Sequence, residues 1–315
     1  MMSNDTTVSI VIPSYNMGWS IGRAIRSCQN QTYSVHEIIV VNDASTDETE
    51  RILDEEASKD SRIRHVVLPF NVGCAAAMIT GISNATGEWI AFLDADDELT
   101  PASISDRLSV VERHTGVKPG LIYGHLYAER ASPDCLTRFP ELNGYCYPYL
   151  CKELSLCAQI VLMVRSDCFS TAGFPSPEFP SSTDDDMVLT IARHFTIACI
   201  GKPVAIAHAH DSPTRMTNNP LRVARGVAML VRKYQRDIAL YHGKRYVALW
   251  WLRIARAYLF AEIHRFAENE RGAYLHLGPS DFSLRFLTEV YRRIVRITYR
   301  GLDFFLRRHF DYIYF

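Results

Sequence analysis

Four short stretches of strand character alternate with helix-patterned segments over the first hundred residues. That alternation limits the fold more than any other feature. The stretches are Val8–Ile12, Glu37–Val41, Ile63–Leu68 and Trp89–Leu93. Short runs dominated by β-branched and apolar residues suit strands buried on both faces of a parallel sheet. Between them, Ile21–Gln29, Thr49–Ala57 and Ala75–Ser83 carry helical spacing, with Thr46 as the expected cap of the second helix. Strand and helix at this spacing predict an α/β protein built on a doubly wound, mostly parallel sheet. Such sheets bind ligands beyond the carboxyl ends of their strands. The polar residues after Ile12, Val41 and Leu93 fall at those ends.

Further along, residues 119–180 read as irregular, rich in Pro, Gly, Tyr and Cys, and are expected to face an acceptor. One apolar run there, Leu156–Val164, is interrupted by Gln159. Met187–Phe195 reads as a helix and Pro203–Ala207 as a strand. From about Thr217 helical periodicity dominates, with breaks expected near Gly243, Gly272 and Gly278–Pro279. The chain therefore divides into an α/β unit, 1–216, and a helical extension, 217–315. No internal repeat or low-complexity tract is evident.

Composition excludes several classes. The apolar fraction of 48% is enough for a full core. With 34 Lys and Arg against 35 Asp and Glu the net charge is −1, so no global basic field points to nucleic acid. No apolar run reaches the ~18 residues that a membrane-spanning helix needs. Met1–Thr7 is polar, so no secretory signal is expected. The eight cysteines form no CxxC pair and lack a partner His at zinc spacing, which suits reduced thiols in a cytoplasmic protein.

The strongest chemical signal is Leu93-Asp94-Ala95-Asp96-Asp97, at a predicted strand end. Carboxylates two residues apart can face one hard divalent cation such as Mn²⁺ or Mg²⁺, which bridges to a diphosphate. Alone, the same pattern suits a solvated acidic turn. It stands in a series, however: Val8–Asn16, then Val40-Val41-Asn42-Asp43-Ala44-Ser45-Thr46-Asp47, then Asn71-Val72-Gly73-Cys74-Ala75-Ala76, then Gly87–Asp97.

This ordered set resembles the family 2 glycosyltransferases of GT-A fold, over roughly residues 7–215. The resemblance implies a nucleotide-diphospho-sugar site. Pro13 and Tyr15 would line the nucleobase pocket, and Asp43 would accept a hydrogen bond from the base. Asn16, Asn71, Gly73 and Ala95 would complete the nucleotide-sugar contacts. Asp94 would touch ribose or metal, and Asp96 would ligate the metal. His210 matches a family position near metal and diphosphate, and Arg215 on the same loop can neutralise phosphate. His208 is the weaker candidate. One departure is Met78-Ile79, where many relatives carry Arg-Asn.

A second acidic cluster, Thr183-Asp184-Asp185-Asp186, opens the helix before Leu189 and Ile191. The family places an acidic pair here whose second member is the general base. An alcohol is a poor nucleophile and needs a carboxylate to take its proton. Aligning the apolar positions selects Asp186 as base with Asp185 as partner, and a one-residue slip makes Asp185 the base. Three aspartates also complement a helix dipole without catalysis.

At the C-terminus, Leu284, Leu287, Tyr291, Ile294 and Thr298 share one helical stripe, and residues 285–310 hold seven Arg against one Glu and one Asp. A basic amphipathic helix can lie on an anionic membrane surface, pack on the α/β unit, or serve a homo-oligomer. The aromatic-basic stretch Tyr246–Phe260 can pack against it. The expected activity is inverting, metal-dependent sugar transfer from a nucleotide-diphosphate donor, with UDP the expected nucleotide. The acceptor is a saccharide or lipid-linked saccharide hydroxyl. The expected location is cytoplasmic, peripheral on the inner face of the cell membrane. Two competing classes are a nucleotidyltransferase and a nucleotide-sugar-binding scaffold without turnover. The first would be expected to show a Gly-rich phosphate loop, which Ser14–Gly22 lacks.

Overall fold

The computed structural model describes residues 6–113, 116–129, 135–209 and 219–274, with side chains to Ala261. The N-terminal half follows the sequence closely. Strand β1 (Val8–Ser14) leads through α1 (Ile21–Gln29) to β2 (Glu37–Asn42), then α2 (Thr49–Lys59), β3 (Ile63–Val67), α3 (Cys74–Asn84) and β4 (Trp89–Phe92). β1 and β2 are buried along their whole length, which is why their sequences are nearly continuous apolar runs. β1 pairs in parallel with both β2 and β4, and β2 with β3.

The second half departs from expectation. After the short β5 (Glu98–Leu99) and α4 (Ser103–Arg113), the region read as irregular supplies β6 (Leu121–Ala128), β7 (Leu136–Thr137), α5 (Tyr147–Glu153), β8 (Leu162–Arg165) and α6 (Asp167–Ala172). Then follow α7 (Thr183–Ala192), β9 (Ile197–Ala207), α8 (Pro220–His242) and α9 (Lys244–Tyr274). The sheet order is β3-β2-β1-β4-β8-β6-β9-β5, with β7 on β6. β8 runs antiparallel between β4 and β6, so the sheet is parallel on one side and mixed on the other. β9 is longer than expected and pairs in parallel with β6.

Two further corrections are local. The carboxylate Oδ1 of Asp47, not Thr46, accepts the N–H (3.0 Å) and hydroxyl (2.5 Å) of Thr49 at the start of α2. Thr46 instead donates its N–H to Asn16 Oδ1. Gly243 does end α8, with φ +83°, whereas Gly272 lies inside α9.

Buried polar anchors set the strands in register. Glu37, at the start of β2, accepts from Ser9 Oγ (2.7 Å), from the N–H and Oγ1 of Thr86 (both 2.7 Å) and from Arg64 (2.7 Å). Burial pushes its carboxyl upward, but the Thr86, Ser9 and Arg64 hydrogen bonds outweigh this and hold it at about 2. A folded-state value below the unfolded one contributes stability at neutral pH, and that contribution fades as pH falls toward 2. Glu37→Gln is expected to lower the melting temperature at pH 7 and to flatten its decline between roughly pH 5 and 2. Thermal denaturation across that range checks both. Glu37→Ala, which also strands Ser9 and the Thr86 amide, is expected to cost about 3 kcal/mol.

Candidate active site

The loops after β1, β2 and β4, the start of α3 and the start of α7 converge at the carboxyl edge of the parallel strands. Three of the four non-glycine residues with positive φ among the described residues sit on these loops: Asn16 (+53°), Ala44 (+57°) and Ser182 (+61°). Strained backbone of this kind persists only where surrounding contacts fix it, and it clusters at functional sites.

On the nucleotide side, Pro13 lies buried in β1 and Tyr15 stands 38% exposed just beyond it. Asn16 laces β1 to the turn after β2. Its N–H donates to Ser45 Oγ (2.9 Å), and its side-chain oxygen accepts from Thr46 N–H (2.8 Å). Asp43 is buried, and its two carboxylate oxygens accept the N–H groups of Val72 (2.7 Å) and Gly73 (2.9 Å). The Asn71 amide donates to the Asp43 carbonyl (3.3 Å). Asp43, Asn71 and Gly73 therefore form one unit, and Asp43's visible work is to fasten the entrance of α3. Gly73 precedes α3 with φ +91°, a conformation suited to glycine.

Asp94, Ala95, Asp96 and Asp97 follow β4. Ligand oxygens of Asp94, Asp96 and Asp97 lie within 4.8 Å of one another. Three carboxylates at this separation suit a hard divalent cation such as Mg²⁺ or Mn²⁺. Neighbours hold the cluster in place. Asp97 is buried and accepts the N–H of His208 (2.9 Å), Arg23 donates to the Asp96 carbonyl (2.6 Å), and Gln159 donates to Asp94 Oδ1 (3.1 Å). The imidazole of His208 lies between Glu98 (2.7 Å) and Glu129 (2.8 Å), so it acts as a strut between carboxylates. His210 and Arg215 lie outside the described residues.

The acidic cluster at the start of α7 divides into two environments. Asp186 is fully buried. Its Oδ2 accepts the Ser176 N–H (2.7 Å), its Oδ1 accepts the Tyr234 hydroxyl (2.8 Å), and the Lys233 ammonium reaches both oxygens (2.7 and 2.9 Å). Lys233 also donates to Ser176 Oγ (3.2 Å). Asp186, expected as the base, is thus enclosed by the Ser176 amide, the Tyr234 hydroxyl and the Lys233 ammonium. The helical extension supplies two of those donors from α8, so it is part of the site's construction.

Asp184 and Asp185 are half-buried. Burial raises the carboxyl of Asp184, opposed by the amides of Asp185 and Gln159. Burial, and then the charge of Asp184, raises Asp185 well above the usual aspartate range, opposed by Ser155, Ser182 and the Leu156 amide. Gln159 thus joins the two halves of the site, with its side chain on Asp94 and its backbone amide facing Asp184. The charges of Asp94, Asp184 and Asp43 all act on the thiol of Cys74, at the start of α3, and burial with these charges pushes it up to about 12. Sequence reasoning placed Asp184 in the acidic cluster without a role, and it missed Gln159, Lys233 and Tyr234. Only Gln159 left a signal, as the polar residue inside an apolar run.

These features define a class: a GT-A type fold whose strand ends carry an acidic cluster suited to a metal-bound nucleotide diphosphate. The family model for glycosyl transferase family 2 matches residues 9–132. The Escherichia coli UDP-Glc:alpha-D-GlcNAc-diphosphoundecaprenol beta-1,3-glucosyltransferase WfaP is 30% identical over 184 residues, 58% of this chain and 68% of that protein. The chain belongs to glycosyltransferase family 2. In three other curated relatives the matched stretch spans 42%, 32% and 18% of their length. Among solved structures, Staphylococcus aureus TarS 1–349 in complex with UDP-GlcNAc superposes with TM-score 0.59 at 16% identity, covering 81% of this chain and 79% of that one. The Pyrobaculum calidifontis mannosyltransferase PcManGT, in complex with GDP-Man and Mn²⁺, gives TM-score 0.57 at 18% identity, with 95% and 88% coverage. Both likenesses concern the fold.

Proposed function

We propose that this chain transfers a sugar, with inversion, from a nucleotide-diphosphate donor to an acceptor hydroxyl, and that Asp184 is the general base. The observation that carries the reading is the pair of acidic groups joined through Gln159: the Asp94–Asp96–Asp97 cluster on one side and Asp184 on the other. UDP is the proposed nucleotide, supported by the donor named for WfaP and by the TarS complex. A saccharide on a lipid-diphosphate carrier is the proposed acceptor class, again by analogy with WfaP.

Asp94 and Asp96, with Asp97 behind them, would hold Mn²⁺ or Mg²⁺, which when bound neutralises charge on the leaving diphosphate. The α3 entrance held by Asp43 orients the nucleotide beside Tyr15 and Asn16. Asp184 accepts the proton of the acceptor hydroxyl as its oxygen bonds to the anomeric carbon. The bond from that carbon to the diphosphate oxygen breaks, and its electron pair leaves with the nucleoside diphosphate. A single displacement inverts the anomeric centre. Residues 1–216 are the proposed catalytic unit, completed by Lys233 and Tyr234 from the 217–315 extension.

The test is the anomeric configuration of the product. Proton NMR of the sugar transferred from an α-linked UDP-sugar to an acceptor panel is expected to give a β-linkage. An α-linkage would refute single displacement by Asp184.

A further inference from the structure

The start of α8 brings a cation to the active site. Arg222 lies on the first turn of that helix, half-buried, and is tied to the loop that leads into α7. Its Nε donates to the Pro180 carbonyl (2.6 Å), and its own carbonyl accepts the Ser181 hydroxyl (3.1 Å). Ser182 follows, in the left-handed conformation, with its side chain on Asp185. Arg222 is therefore anchored to the segment that immediately precedes the proposed base.

Cys74, the first residue of α3, fixes the direction in which the guanidinium acts. Burial and the charges of Asp94 and Asp184 push the Cys74 thiol up, and the charge of Arg222 opposes them. The Pro180 contact and the reach of its charge to Cys74 together place the guanidinium by the space between the starts of α3 and α7. Helix α3 contains no basic residue of its own, and Met78, one turn beyond Cys74, is buried and uncharged. A cation at this place has to come from another element.

Other cations nearby are engaged. Lys233 pairs with Asp186, while Arg23 pairs with Glu98 and donates to the Asp96 carbonyl. Arg222 differs from both. Among the described residues it makes no ion pair, and Nε is the side-chain nitrogen in use, so the terminal nitrogens stay open. A guanidinium in this state suits phosphate oxygens, which it grips through paired, charge-assisted hydrogen bonds. The carboxylates around it repel an anionic substrate, and a cation among them offsets that repulsion.

We propose that Arg222 is a substrate-binding residue whose guanidinium grips a diphosphate. The diphosphate belongs to the nucleotide donor or to a lipid-diphosphate acceptor, and this assignment rests on the sugar-transfer reading. The helical extension then takes part in substrate recognition as well as in enclosing Asp186.

Isothermal calorimetry on the full chain with Mn²⁺ tests the proposal. The probes are UDP and, with UDP present, farnesyl-diphospho-GlcNAc and neutral octyl GlcNAc. Arg222→Gln is expected to weaken a diphosphate probe roughly tenfold or more while the octyl glycoside stays within about twofold. A loss on UDP assigns the diphosphate to the donor. A loss on farnesyl-diphospho-GlcNAc alone assigns it to the acceptor. Arg222→Lys keeps the charge without the planar fork, and its affinity is expected between those of the parent and Arg222→Gln. It carries the comparison if the glutamine variant does not fold. Both diphosphate probes held within about twofold of the parent by Arg222→Gln would overturn the proposal. An equal loss on all three probes would also overturn it and make Arg222 a brace of the 180–182 loop. A wild type that binds none of the probes would overturn the sugar-transfer reading and this proposal together, whereas wild-type binding that survives in the variant overturns this proposal alone.

Discussion

Asp184→Asn is expected to lower kcat by about 100- to 10,000-fold while leaving donor affinity within about twofold. Asparagine keeps the shape of the side chain and the contacts of the α7 start, but it cannot take a proton from the acceptor hydroxyl. A loss in kcat with little change in donor binding separates a base from a donor contact. The wild-type pH profile carries the same information. Burial raises the Asp184 carboxyl, so it stays protonated to a higher pH than an ordinary aspartate. The acid limb of kcat/KM is therefore expected above the usual carboxylate range, with activity lost as pH falls through that raised value. Asp186→Asn discriminates between the two assignments. If it abolishes turnover in a folded protein while Asp184→Asn does not, the base has been misassigned.

Lys233→Met is expected to destabilise the fold by about 3 kcal/mol. Asp186 is fully buried, and removing the ammonium leaves its charge with only the Tyr234 hydroxyl and the Ser176 amide. Lys233 itself is about a third exposed, so solvent screening places the cost at the lower end of the range for broken buried pairs. Asp186→Asn combined with Lys233→Met is expected to cost clearly less than the sum of the two singles, because the residues share one interaction. Urea denaturation of the four proteins in the cycle measures the difference. α8 also approaches the loop before α7 closely. A Cβ on Gly226 would lie 2.7 Å from the Ser181 carbonyl oxygen, so the helix that carries Lys233 leaves no room for a side chain there.

The parallel half of the fold was legible because its strands are buried on both faces. β1, β2 and β4 are buried throughout, so their patterns are unbroken apolar runs. The mixed half was not. β6 contains Gly124 and His125, and the buried imidazole of His125 is satisfied by Glu141 and the Phe139 amide, partners that exist only in the tertiary structure. β8 lies at the end of the run interrupted by Gln159, so its strand character was masked by a residue serving the site. In the site, the Asp94–Asp97 cluster is local and its spacing is visible in sequence. The division among Asp184, Asp185 and Asp186 is not local. Lys233, 47 residues from Asp186, decides which of the three is sealed away.

The central claim is a metal-assisted nucleotide-sugar site at the Asp94–Asp96–Asp97 cluster. The most direct measurement is nucleotide release from UDP-, GDP- and dTDP-sugars in Mn²⁺, Mg²⁺ or EDTA, for the wild type and Asp96→Ala. The account predicts release from one donor that depends on the divalent cation and falls by at least about 100-fold in Asp96→Ala, with the fold intact by circular dichroism. Release that persists in EDTA, or that is unchanged in Asp96→Ala, would contradict it.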